Sequence, residues 1–257
     1  MRKNAPLLCF LAAVSIAFGH STVVFLTADT QAVRNVPGTD SSSAWNDGMY
    51  VSYTARDFES YGPAGSTIDF GRIDYPLMNA ALFYETNRRR AAQGKTPFAH
   101  SPALEKAAAL HSRDMAEMGF LSHENPYDPR KETPWQRMAL FGVGGGLRAE
   151  NITDAFGIRY SPGTPVIVPD EGGEFVDYSS RKVIPPHTYK SFAESVLDGW
   201  MGSPPHRANI LDVDLLYLGC GAYHYNNSGF YGMDQFKATQ CFASQENGDS
   251  PLFFTIK

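Results

Sequence analysis

The 257-residue chain predicts an α+β domain with layered packing. Three observations carry that prediction. Apolar residues recur at helical spacing through the middle of the chain, two strand-like segments close it, and 43% of its residues are hydrophobic, enough for a substantial core. The 19% charged fraction is low, and 23 Gly with 17 Pro is ordinary for this length, which excludes collagen-like and wholly disordered classes.

In chain order, residues 1–19 read as a secretory signal peptide. Arg2 and Lys3 form a positive start, Leu7 to Phe18 an apolar run, and Ala17-Phe18-Gly19 places small residues at the −3 and −1 positions. The competing reading is an uncleaved anchor running on to Ala28, which Gly19, His20, Ser21 and Thr22 interrupt. Cleavage removes Arg2 and Lys3 and takes the formal charge from −5 to about −7. With no basic excess to displace counterions, an electrostatic nucleic-acid binder is excluded. The cationic run Arg88-Arg89-Arg90 reads as a solvated helix face. Cys9 has no lipobox around it, and no later segment approaches the ~20 apolar residues of a membrane span. The expected location is secreted, extracellular or periplasmic. An exported chain left with Cys220 and Cys241, each in a strand-like segment, is expected to join them in one disulfide, with two buried free thiols as the alternative.

Residues 20–70 keep neither a helical nor a strand period for long and read as an extended arm or linker, with Tyr50, Tyr53 and Tyr61 packing on the domain surface. Residues 71–257 form the domain. Leu77, Ala80, Ala81, Tyr84 and Ala91 mark a helix that Gly94 ends. Ser101-Pro102 opens a second, with an N-cap followed by Pro, whose stripe is Leu104, Ala107, Ala108, Met115 and Met118 before Gly119. His111 lies on that stripe and reads as a buried core histidine. Residues 124–187 are mostly loop-like, with a short hairpin between Val166-Ile167-Val168 and Glu174-Phe175-Val176. A third helix carries the capping box Ser191/Glu194 and the face Phe192, Val196, Trp200. After Ser203-Pro204-Pro205 the chain turns strand-like, over Leu216 to Tyr223 and Phe236 to Phe242.

The polar residues that could carry chemistry stand at element ends: His123, Glu150, Ser203 and His206. Their spacing makes no metal signature, so each histidine alone reads as a capping or packing residue. Asn151 suits a structural role, since one amide satisfies several loop groups. His187 and His224 receive no role. There is no GxSxG elbow, both cysteines lie in strands, and Ser203 near His206 reads as a Ser-Pro turn rather than a nucleophile.

Six segments in order change this reading. They are Leu82-Phe83-Tyr84-Glu85-Thr86-Asn87-Arg88, Leu104 to Met115, Leu121-Ser122-His123, Ala149-Glu150-Asn151-Ile152, Trp200-Met201-Gly202-Ser203-Pro204-Pro205-His206-Arg207-Ala208-Asn209-Ile210-Leu211 and Leu218-Gly219-Cys220-Gly221. Together they resemble the CAP superfamily of cysteine-rich secretory proteins, venom antigens, plant pathogenesis-related proteins and bacterial SCP-like proteins, in its bacterial branch. The resemblance implies an α-β-α sandwich with a central, mainly antiparallel sheet. It also implies a cleft with two His and two acidic residues, where the His pair of some members holds a divalent ion. Carried over by motif, these are His123, His206 and Glu150, and the second acidic position, three residues after Trp200, is Ser203. His123, His206 and Glu150 are then the expected ligands of a divalent metal, zinc or calcium, with Ser203 in the cleft; Glu124 and Asp198 are substitutes without motif support.

The function so implied is a secreted binding module whose partner is an extracellular ligand: a lipid, a peptide or a surface protein. A metal-dependent hydrolase of peptides or cell-envelope polymers and a structural envelope protein are the alternatives, and enzymatic activity stays open. The insertion from Ser161 to Pro186, acidic through Asp170, Glu171, Glu174 and Asp177, reads either as a roof over the cleft or as a solvated loop.

Overall fold

The computed structural model describes residues 43–169 and 173–246, and the backbone of residues 17–18 and 21–22. Two units separate. In the first, Met1–Asn35 with Ser250–Lys257, the described residues form an antiparallel pair, β1 (Ala17–Phe18) with β2 (Ser21–Thr22). Apart from β1, the signal segment expected over residues 1–19 lies outside the described residues, as do Asp170 and Glu171 of the insertion. Among the described residues no helix is long and apolar enough to cross a membrane.

The second unit, Val36–Asp249, is an α-β-α sandwich. Its middle layer is a four-stranded sheet in the order β3 (Ala99–His100), β7 (Tyr217–Asn227), β8 (Met233–Ala243), β4 (Arg148–Phe156). β7 pairs antiparallel with β8, and β8 with β4; β3 pairs parallel with β7. The sheet is therefore mainly antiparallel, with β4 at one edge.

Two helices cover one face. α4 (Pro102–Met118) starts where Ser101 Oγ accepts from the Leu104 amide, has Pro102 in its first turn, and ends at Gly119 with φ +71°. It lies on the backbone of β7: a Cβ on Gly219 would stand 1.9 Å from Glu105 N, and one on Gly221 would stand 2.3 Å from Ala109 N. Glycine at these two positions is what lets helix and strand approach so closely. α5 (Pro134–Leu140) is a short helix within the stretch expected to be loop-like, started by a capping box of Thr133 and Gln136.

Three helices cover the other face. α3 (Tyr75–Ala92) is capped by Asp74, whose carboxylate accepts from Leu77 N, and is buried along most of its length because sheet and outer helix both pack on it. α6 (Tyr189–Gly202) opens with a capping box of Thr188 and Ser191, three residues ahead of the expected Ser191/Glu194 box. α7 (Pro204–Leu211) occupies a stretch expected to turn strand-like: Pro204 and Pro205 start the helix, since Pro lacks only an amide that the first turn leaves unpaired anyway.

The region read as an extended arm over 20–70 is, from residue 43 on, part of the core. α1 (Met49–Ser52), α2 (Ala55–Glu59) and a 3-10 turn (Gly62–Gly65) wrap the outer side of α3. Trp45, 2% exposed, is ringed by Tyr50, Tyr53, Phe58, Tyr61 and Tyr84 at 5.3 to 5.4 Å between ring centroids. Edge-on packing of large rings supplies a core that regular periodicity never announced. The arginine run is likewise no simple solvated face. Arg90 is buried, stacks over Phe98, and donates to the carbonyls of Thr96, Ile210 and Asp212, fixing the end of α7. The expected hairpin is present as β5 (Val166–Ile167) with β6 (Val176–Asp177).

The Cys220–Cys241 disulfide is not formed; both are buried free thiols. Register gives the reason. Cys220 stands opposite Gln240 and Cys241 opposite Gly219. Side chains alternate along a strand, so the two thiols project from opposite faces of the sheet and cannot meet.

Candidate functional site

The edge strand β4 brings the expected residues together by sending neighbours to opposite faces. Glu150 pairs with Cys241, on the face covered by α4 and α5; Asn151 pairs with Gln240, on the face covered by α3, α6 and α7. Each holds one of the two histidine segments.

On the α4 side, the loop after that helix is tied down before it reaches β4. Asp114 accepts from Asn125 Nδ2 at 3.0 Å and pairs with Lys131 at 2.7 Å. Arg137 of α5, fully buried, donates from Nη1 to the carbonyls of Lys131 and Glu132 at 3.1 and 2.8 Å. Its Nη2 reaches the His123 carbonyl at 2.8 Å and both Glu150 oxygens at 3.0 and 2.8 Å. The buried Glu150 carboxylate thus has a cationic partner, without which its ionised form would be very costly there. Burial pushes its pKa up, but hydrogen bonding to His123 and the Arg137 charge outweigh it, and the net direction is down.

His123 Nδ1 lies 2.9 Å from Glu150 Oε1. An ionised carboxylate only accepts, so Nδ1 carries the proton and the lone pair of the neutral ring is on Nε2. The side chain is 47% exposed, so that lone pair is accessible to solvent. His111 lies beneath, as a fully buried core histidine: its Nε2 donates to the Ser122 carbonyl at 2.9 Å, and it stands 3.9 Å from Glu150. Burial holds it neutral, with a pKa down to about 4. Cys241 Sγ approaches Glu150 Oε2 at 3.9 Å, and burial and that carboxylate push the thiol well up.

On the other face, Asn151 Nδ2 donates to the His206 carbonyl at 3.2 Å and to Gln240 Oε1 at 3.0 Å, while its Oδ1 accepts from Asn209 Nδ2 at 2.8 Å. This is the structural role expected of Asn151. Trp200 Nε1 donates to the Ile152 carbonyl at 3.2 Å, closing α6 onto the same strand. His206 is half-buried on α7, and its pKa is lowered by burial and then by the charge of His123. The two histidine segments are thus tied to adjacent residues of β4 on opposite faces of the sheet. Ser203 joins α6 to α7 and its side chain caps neither helix.

The donor set decides which ion would suit this place. Nε2 of His123 and both ring nitrogens of His206 make no hydrogen bond among the described residues, whereas Glu150 is saturated by Arg137 and His123. Among the described residues no three His, Cys, Asp or Glu side chains form a metal-ligating group. Two imidazoles remain, with Glu150 placed to orient one of them. The substitutes fare no better: Asp198 pairs with Arg89 at 2.8 Å on the outside of α6, and Glu124 is exposed. The insertion is anchored away from these residues: Ile158 and Pro186 pair beyond the far end of β4.

A family model described as CAP, the cysteine-rich secretory protein family, matches residues 83–242. The uncharacterized protein YkwD of Bacillus subtilis (strain 168) is 26% identical over 151 residues, 59% of this chain and 43% of that protein, so the chain spans less than half of that relative's length. Among solved structures, an extracellular protein containing an SCP domain from Bacillus anthracis str. Ames is 19% identical, covering 91% of this chain and 67% of its own, with a TM-score of 0.46. An outer surface protein of Borrelia burgdorferi is 18% identical over 70% of this chain and 97% of its own, with a TM-score of 0.41.

Proposed function

The chain belongs to the cysteine-rich secretory protein family, and on that premise we propose that it is an exported binding module whose ligand-binding centre is the rim of β4. His123 and His206 hold a divalent ion there and present it to an extracellular ligand, a lipid or a peptide bearing a carboxylate or carbonyl oxygen. The observation that carries this reading is the hydrogen bond from His123 Nδ1 to the buried Glu150 carboxylate. A carboxylate behind an imidazole fixes its tautomer and raises the basicity of the other nitrogen, the usual support of a metal-binding histidine. Glu150 is on this reading a positioning residue. When bound, the ion supplies a Lewis-acidic point for a ligand oxygen. Two imidazoles favour Zn²⁺ over Ca²⁺, which prefers an all-oxygen shell. Exposed Leu121 and Tyr127 on the adjoining loop add apolar surface for the ligand's body. Binding is favoured over hydrolysis because the site's carboxylate is saturated by Arg137 and has no free oxygen to serve as a base.

The test is calorimetric titration of the full chain with Zn²⁺ and with Ca²⁺ at neutral pH, beside the His123→Ala/His206→Ala double variant. Zn²⁺ should bind at one ion per chain, Ca²⁺ should not, and the double variant should lose the Zn²⁺ heat while keeping its circular dichroism. Zn²⁺ uptake that survives in the double variant, or its absence from the folded wild type, would sink the reading.

A further inference from the structure

The insertion between β4 and α6 builds a cavity well away from His123 and His206. Beyond β4, Gly157 N donates to Asp234 O at 2.8 Å, and Ile158 pairs with Pro186. Seven residues of extended chain put this end about 23 Å from Glu150, at ~3.3 Å per residue. Here the chain that carries β5 and β6 folds back and buries Ile158, Phe175 and Ile184 with Met233. Between this cluster and the tip of the β7–β8 hairpin lies a cavity of about 520 Å³. That is a small-molecule volume, within the range of about 300–1,000 Å³.

Its lining has one chemical bias. Among the described lining residues Phe70, Phe175 and Tyr231 are aromatic, the charged ones are Asp234 and Glu174, and none is Lys or Arg. Asp234 is oriented: its Oδ1 accepts from His224 Nε2 at 2.8 Å and from Asn226 Nδ2 at 3.0 Å. Its Oδ2 makes no hydrogen bond among the described residues. Tyr231 is 72% exposed and held at φ +55°, a conformation uncommon outside glycine, Asn and Asp.

We propose that this cavity binds a small organic cation, an ammonium group carried on an aromatic or short aliphatic body. The apolar floor takes the body, while the oriented carboxylate and the aromatic faces attract the positive head. The same lining disfavours anions by charge. It disfavours bare inorganic cations because the apolar floor cannot replace their hydration. The proposal does not rest on the β4 site.

The full chain is titrated with 2-phenylethylammonium, with benzyl alcohol and with benzenesulfonate, followed by ligand-observed NMR. The ammonium should bind saturably and at least about tenfold more tightly than the neutral alcohol, and the sulfonate should not bind. Asp234→Asn removes charge but keeps shape; Glu174→Gln does the same at an exposed position where folding is not at stake. Either variant should weaken ammonium binding, Asp234→Asn by about tenfold. The His123→Ala/His206→Ala variant should leave it unchanged. The proposal is overturned if the ammonium does not bind, if the three probes bind alike, if both carboxylate variants keep full affinity, or if the histidine variant loses it.

Discussion

At the residue scale the protein turns on Arg137, which neutralises Glu150 and holds the carbonyls of the His123 loop. Arg137→Met should cost about 3–5 kcal/mol in urea unfolding, because it strands a buried carboxylate. Glu150→Gln placed on top should recover part of that loss, and a purely additive double-mutant cycle would deny the coupling. His111 sets a pH dependence. In the unfolded chain an imidazole takes up a proton near 6.5; the folded residue does so only near 4 because burial opposes the charge. The unfolded state therefore binds more protons between those values. Stability is fully present above pH 6.5 and falls as the pH drops toward 4, by on the order of 3 kcal/mol for this group. His187, buried beside Arg159 and also held near 4, acts in the same direction. Unfolding curves at pH 7.5, 5.5 and 4.5 should show the fall, roughly halved in His111→Gln; an identical fall in that variant would remove His111 from the account.

At the element scale the closest contact is α4 on β7. Gly219→Ala drives a methyl into the backbone of Glu105 and should destabilise by about 3 kcal/mol or more. Gly144→Ala, where a Cβ meets nothing within 4 Å, should stay within about 0.5 kcal/mol. The urea midpoints of the two variants separate packing from general intolerance. The same elements show what was legible. Helix α3 announces itself through Leu77, Ala80, Ala81 and Tyr84 with Gly94 at its end, and α4 through Ser101-Pro102 and its apolar stripe, because cap and packing face are local. β4 does not: Arg148, Glu150, Asn151, Thr153 and Asp154 carry no hydrophobic alternation, since their partners are polar groups on other elements. α7 was hidden by Pro204-Pro205, which starts a helix as readily as it breaks one. At the site, Glu150, His123 and His206 were legible only through motif order, and Arg137 was missed. The one available signal was that a buried carboxylate requires a cation, and nothing local says which. The cysteines misled because sharing a disulfide depends on strand parity, which register alone reveals.

At the scale of the whole molecule, the sandwich separates two places of different chemistry on one strand. One end of β4 holds the His123–Glu150 pair and anchors the His206 segment; beyond the other lies an acidic aromatic cavity. Loss of one should leave the other standing, as the two titrations above require. The order of the strands carries a further consequence. The two middle strands, β7 and β8, come last among the described strands, and β3 and β4 pair with nothing in the described sheet but them. No part of the sheet can form until β7 has been made, and β4 finds its partner only with β8, so α3 and α4 wait through most of synthesis without the sheet on which they pack. The sandwich closes only when β8 slots between β7 and β4, so its last layer to complete is its middle one.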